Sequence, residues 1–231
     1  MRRPLGVAIS TVLVMAFSAA HAEEKANLGN FPITLKIGFI NFMDEVWEHG
    51  DVKYSFYPGL EGYARVFRNL YIGGELGYVS SEELMDAFLG MPIGHNRSLT
   101  FLPIELNLKY VIEAAPSFFI DFGAGVSYSY ASVQEELYLV TDYSVYDDSA
   151  WLFGGQFFVD LTYKVKRFLV GLDWKYQITQ SLEVDPLKSS ELIGSLPPPL
   201  QSLVPKFFGF DVFDQADYSN FRIGGHIGVT F

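Results

Sequence analysis

The sequence predicts an all-β chain, an eight-stranded antiparallel up-and-down transmembrane β-barrel with short periplasmic turns and long extracellular loops. Three observations carry that expectation. Apolar residues recur with a period of two in about eight separate segments, so that each segment has one greasy face and one small or polar face. Each segment is at least about 9 to 11 residues long, the length a tilted strand needs to cross a bilayer. The connections between segments alternate between short and long, a partition that a soluble sandwich has no reason to show.

Composition agrees with this and removes other classes. The chain has 231 residues, a net charge of −11, no cysteine, 16% aromatic residues and only 19% charged residues. Disulfide scaffolds, thiolate metal sites and cysteine nucleophiles are excluded. Twenty-one Phe and 14 Tyr are too much apolar surface for a disordered chain, and the acidic balance argues against nucleic acid as a partner.

Residues 1–22 read as a secretory signal peptide: Arg2 and Arg3, an apolar run from Leu5, then the small-x-small site Ala20-His21-Ala22. The run is shorter than the roughly 20 residues of a spanning helix. The barrel domain then occupies 23–231, exported to the bacterial outer membrane, and no later stretch is apolar enough for a helical span.

The strands fall at about 32–43, 54–67, 70–79, 98–112, 118–130, 150–165, 168–177 and 219–231. In the fifth, Phe118, Ile120, Phe122, Ala124 and Val126 alternate with Phe119, Asp121, Gly123, Gly125 and Ser127. The seventh repeats the plan, with Phe168, Val170, Leu172 and Trp174 against Leu169, Gly171, Asp173 and Lys175. Short turns follow the second, fourth and sixth strands (Arg68-Asn69, Glu113 to Ser117, Lys166-Arg167); the other connections are long, and the last is an extracellular loop over about 178–218. The long connections hold 18 of the 27 acids against Lys53, Arg97, Lys188 and Lys206, which makes the outer rim strongly acidic.

The inward face carries Glu61, Glu75, Glu105, Asp121, Asp160 and Asp173 opposite Lys36, Arg65, Lys109, Lys164, Lys175 and Arg222. Equal numbers of both signs let a narrow lumen neutralise itself, whereas a selective pore biases its lining to one sign. Glycines including Gly73, Gly77, Gly123 and Gly171 make room for the long side chains. Outward aromatics gather at the strand ends: Tyr110, Phe118, Tyr163, Phe168 and Phe231 at the periplasmic level, and Tyr54, Tyr78, Tyr128, Tyr130, Trp151, Trp174 and Tyr176 at the outer one.

The chain ends NFRIGGHIGVTF, with Phe221, Ile223, Ile227, Val229 and Phe231 on the outward side of an alternating strand. This ending resembles the assembly signal that the bacterial barrel-assembly machinery recognises. With YIGGELGY (71–78), LPIELNLKY (102–110), FIDFGAGVSYSY (119–130) and FGGQFFVDLTYKV (153–165), the region from Pro32 to Phe231 resembles the small eight-stranded outer-membrane barrels of the OmpA transmembrane-domain, OmpX and Ail type. The resemblance implies outer-membrane lipid and lipopolysaccharide as surroundings and the assembly machinery as a partner during insertion. The chain stops on the last strand, so no OmpA-type periplasmic domain is expected.

Chemistry is sparse. His49, His95 and His226 are isolated, which argues against a metal site, and no cofactor is expected. Gly94-His95-Asn96-Arg97-Ser98 with Glu82 or Glu83 has the residue types of a lipid-modifying hydrolase, but in a short loop combination that arises readily by chance. Acidic pairs such as Glu135-Glu136 and Asp147-Asp148 could share divalent cations with lipopolysaccharide phosphates. The loop 178–218 is unusual in its Pro-Pro-Pro run and its apolar stretch from Leu200 to Phe210, and is the candidate for an unknown ligand. The sequence therefore predicts a non-enzymatic barrel with a side-chain-filled lumen, serving surface structure, envelope integrity or loop-mediated contact. The alternatives are transport of a small solute or ion and a lipid-modifying outer-membrane enzyme.

Overall fold

A computed structural model describes residues 28–44, 47, 53–85, 94–138, 143–183, 194, 198–201 and 215–231. The expected signal peptide, His49 and most of the 178–218 loop lie outside the described residues. The described strands are β1 (Pro32–Phe42), β2 (Tyr54–Phe67), β3 (Leu70–Gly77), β4 (Val79–Met85), β5 (Gly94–Ala115), β6 (Phe118–Tyr138), β7 (Tyr143–Val165), β8 (Phe168–Thr179), β9 (Ser181–Glu183), β10 (Gln215–Asp217) and β11 (Asn220–Thr230). Every pairing is antiparallel, in the order β3-β2-β1-β11-β8-β7-β6-β5-β4, and β3 also pairs with β5. That last pairing closes the ring. β3 and β4 run in succession along β5 as one stave, which leaves eight staves around the barrel and no free edge within the membrane.

The three turns on the side of the termini are two-residue hairpins: Arg68-Asn69, Pro116-Ser117 and Lys166-Arg167. Each contains a left-handed residue, Arg68 (φ 40°), Ser117 (φ 66°) or Lys166 (φ 57°), as tight hairpins that follow the twist of their strands require. The turn expected over Glu113 to Ser117 is thus shorter, because β5 continues to Ala115 through a register shift between Glu113 and Ala115.

The larger difference is on the opposite side. β5, β6 and β7 run well past the expected ends at residues 98, 130 and 150: β6 and β7 stay paired up to Tyr138 and Tyr143, and β4 pairs Met85 with His95. Much of what the sequence presents as loop is therefore sheet standing above the membrane. Water can solvate the outer face of such a sheet, so it needs no apolar alternation there. Within the 178–218 segment, β9 and β10 pair as a small separate two-stranded sheet.

Alternation sorts the side chains as expected. Ile33, Leu35, Ile37 and Phe39 of β1 are exposed to the lipid, while Thr34 and Lys36 between them and Ile40 after them are buried. The exposed apolar residues of all eight staves form a continuous belt, which in water would be an untenable patch and in a bilayer is the required surface. The aromatic residues lie outward as expected, with Tyr128 stacked on Trp151 at 4.9 Å near the outer end and Tyr110 tilted against Phe122 at 5.6 Å near the turns.

The interior has three layers. At the extracellular end Ile40, Phe42, Val79, Leu99, Phe101 and Val133 form an apolar cluster with Trp47 and Tyr218. At the turn end Leu28, Tyr63, Tyr71, Val111, Phe119 and Phe158 form another. The charged side chains lie between them.

Candidate functional site

The middle layer is a network of buried ion pairs drawn from strands all around the barrel. Lys36 on β1 lies 2.7 Å from Glu61, 3.1 Å from Glu75 and 4.0 Å from Asp160. Lys109 on β5 reaches Asp121 at 3.3 Å, Glu61 at 3.7 Å and Asp160 at 3.9 Å. Lys175 on β8 sits 2.5 Å from both Glu75 and Glu105. Arg222 on β11 pairs with Glu75 at 3.3 Å and with Glu105 in a shorter contact. All of these groups are nearly excluded from solvent, so each charge is stabilised by its partners and not by water.

Two residues expected in this network are elsewhere. Arg65 and Lys164 have the inward parity, but they sit at the turn end of their strands and are only half-buried. The Arg65 Nε–H donates to the carbonyl of Arg68, and Lys164 stands at the rim. The remaining ten residues comprise six acids and four bases, so the layer is not balanced by these groups alone. His226 stands beside the excess: its Nδ1 is 3.6 Å from Asp173 and its Nε2 is 3.2 Å from the Thr162 hydroxyl.

Several neutral residues complete the layer. The Tyr57 hydroxyl donates to Glu75 at 2.6 Å, and its ring lies 4.6 Å beneath the Arg222 guanidinium. Gln177 accepts from Arg222 at 2.7 Å and donates to Ser127 at 2.8 Å; Gln156 donates to Asn107 at 2.7 Å. Phe158 lies 5.9 Å from Lys36 and 5.5 Å from Lys175 by ring centroid. These residues share the inward parity of the charged ones and could have been found by reading every second residue without regard to charge. Glycine makes the packing possible: a Cβ on Gly77 would fall 2.0 Å from the Tyr57 hydroxyl, and one on Gly171 would fall 2.5 Å from His226 Nε2.

The Asp173–His226–Thr162 row has the residue types of a nucleophile with its base and orienting acid. All three are buried, with Asp173 the most exposed at 7%, and the 3.6 Å between His226 Nδ1 and Asp173 is too long for a hydrogen bond. His95 and Ser98 are three positions apart on the continuous strand β5, so these positions alternate to opposite faces of the sheet. Among the described residues no group of acids and histidines is arranged to hold a metal ion.

At the extracellular mouth, separate segments are tied together. The Trp47 indole N–H donates to the carbonyl of Asp217 at 2.9 Å, and the Asp217 N–H donates to the Asp44 carboxylate at 2.7 Å. Trp47 lies 5.1 Å from Tyr218, and Tyr218 stacks on Phe101 at 5.7 Å. The first and last extracellular connections thus meet over the lumen.

Neither the family models nor the curated proteins include a match to this chain. Among solved structures, Neisserial surface protein A is similar at a TM-score of 0.51 and 10% identity, over 87% of this chain and 97% of that one. A closed ring of eight staves, an outward apolar belt and this match agree. The fold is that of a small outer-membrane β-barrel. The barrel also aligns with the attachment invasion locus protein Ail of Yersinia pestis (TM-score 0.42, 8% identity, 87% of this chain and 98% of that one) and with the outer membrane protease OmpT of Escherichia coli (0.42, 10%, 88% and 94%). A barrel of this fold with an outward apolar belt sits in a bacterial outer membrane, in contact with membrane lipid. Its last strand seals it: β11 pairs with β1 from Asn220↔Phe42 to Thr230↔Pro32, with Phe221, Ile223, Ile227 and Phe231 exposed to the lipid and Val229 partly so.

Proposed function

We propose that the protein is a non-enzymatic, non-conducting surface barrel whose lumen is structural and whose extracellular sheet makes the contacts of its function. The observation that carries this reading is the layering of the interior, in which paired charges are capped by apolar clusters at both ends. An ion entering from outside meets Phe42, Phe101, Trp47 and Tyr218, then carboxylates and cationic groups already paired with one another. Desolvating an ion across such caps with no polar lining to replace its water is prohibitive.

Planar-bilayer recording on the purified protein tests it: no steady single-channel conductance is expected, and a sustained open level rejects the closed lumen. The enzyme alternative is tested by mass spectrometry of lipid A from cells with and without the protein, where unchanged spectra are expected. Acids on the extracellular strands, such as Asp147 and Asp148, support contact with lipopolysaccharide through shared divalent cations, and disfavour direct adhesion to polyanions. Residues 1–22 serve as the export leader and β11 as the assembly signal in this reading. A ligand of the 178–218 segment is sought by a binding screen against a variant lacking residues 180–215.

A further inference from the structure

The periplasmic rim has the opposite charge to the extracellular one. Arg65 and Arg68 stand on the β2–β3 hairpin and Lys164, Lys166 and Arg167 on the β7–β8 hairpin, with Glu113 the acid near the β5–β6 turn. In the strand order β3-β2-β1-β11-β8-β7 these two hairpins flank the β1–β11 pair, so the cations occupy one arc of the rim. Directly beneath them are side chains that face lipid: Val66 and Phe67 on one hairpin, Val165 and Phe168 on the other, the last 66% exposed. The cationic heads therefore stand at the depth where acyl chains give way to headgroups.

Between the β7–β8 hairpin and the residues that flank the β1–β11 pair lies an open cleft of about 400 Å³, bordered by Asn30, Lys164, Lys166, Arg167, Thr230 and Phe231. Its main chain is already engaged. The Phe231 terminal carboxylate accepts from the N–H groups of Asn30 at 2.8 Å and Phe31 at 3.2 Å, and the Arg167 carbonyl accepts from Thr230 N–H at 2.8 Å. Glu113 acts electrostatically on the half-buried Lys164, and the exposed Lys166 and Arg167 side chains are the cations presented to the membrane surface.

We propose that this cleft binds the phosphodiester headgroup of an anionic phospholipid of the inner leaflet. A guanidinium offers a phosphate two parallel N–H donors, and an adjacent ammonium adds a point charge. Lys164, Lys166 and Arg167 against the one Phe231 carboxylate leave the cleft net positive, which disfavours a zwitterionic headgroup by repelling its ammonium. The site is thus selective for phosphatidylglycerol-type over phosphatidylethanolamine-type lipid, and it would hold the barrel at a fixed depth and rotation by its seam.

Native mass spectrometry of the purified protein, equilibrated in detergent with equimolar phosphatidylglycerol and phosphatidylethanolamine of matched chains, tests this. Wild type is expected to retain phosphatidylglycerol in clear excess. Lys166→Gln with Arg167→Gln lowers that preference by roughly fivefold for each cation removed, while Lys166→Arg with Arg167→Lys largely keeps it. Both variants alter an exposed hairpin tip, and unchanged heat-modifiable migration on gels verifies that each is folded. Equal retention of the two lipids by wild type, or an unchanged preference in the double Gln variant, overturns the proposal. So does a marked gain in phosphatidylglycerol retention by Glu23→Gln with Glu24→Gln, since it would make the acidic segment before Leu28 the cleft's own occupant.

Discussion

Arg222 extends from β11 across the lumen to Glu75 on β3 and Glu105 on β5, with the Tyr57 ring stacked beneath it. Breaking a buried pair by removing one partner leaves an uncompensated charge in a medium that cannot solvate it, at a cost of about 3–5 kcal/mol. Arg222→Met should therefore lose about that much stability in urea titrations of vesicle-inserted protein. Arg65→Met, at the hydrated rim, should lose about 0–1 kcal/mol. Equal losses would mean that depth in the barrel does not govern the value of a charge. The contrast also explains what the sequence made legible. Parity along a strand tells which face a residue occupies, and it placed Lys36, Glu61, Glu75, Glu105, Lys109, Asp121, Asp160, Asp173, Lys175 and Arg222 inside. It does not tell depth, so Arg65 and Lys164 looked like members of the same layer.

The strands themselves were readable wherever lipid demands an apolar outer face. The stretch from Phe118 to Tyr130 alternates because one side meets acyl chains and the other meets Gly, Ser and Asp. Beyond Tyr130 the demand ends, and Gln134, Glu135 and Glu136 carry the signature of a loop although β6 continues to Tyr138. The inward residues kept the signal: Ala131 and Val133 are fully buried in the outer apolar cluster. Trp47 was harder to foresee, since it lies in an acidic connection and is buried where Phe42, Asp217 and Tyr218 converge on it. Truncating a buried Trp costs about 3–5 kcal/mol, and here the loss belongs to the clasp over the mouth. Trp47→Ala should speed hydrogen exchange at Asp217 N–H by roughly two to four orders of magnitude, with the β1–β2 ladder unchanged. Uniform acceleration through both regions would show instead that the clasp and barrel open as one unit.

At the scale of the molecule, a closed barrel depends on its first and last strands meeting. β1 and β11 pair along their whole lengths, and Gly38 and Gly224 lie opposite one another where a Cβ on Gly38 would fall 2.4 Å from the Ile223 carbonyl oxygen. Deleting Phe231 should leave export intact but reduce the heat-modifiable form recovered from the outer membrane; recovery equal to wild type would remove the terminal aromatic from the assembly reading. The lumen pairs bear on the same event. Arg222 and Lys175, on β11 and β8, find their carboxylates on β3 and β5, and Lys36 on β1 reaches Asp160 on β7. An open, half-inserted sheet would hold those partners apart, each charge stranded in a low-dielectric setting. Partly zipped forms are thereby penalised and the sealed ring is rewarded all at once. The charge layer acts as a latch on the seam, making insertion and closure a single cooperative step.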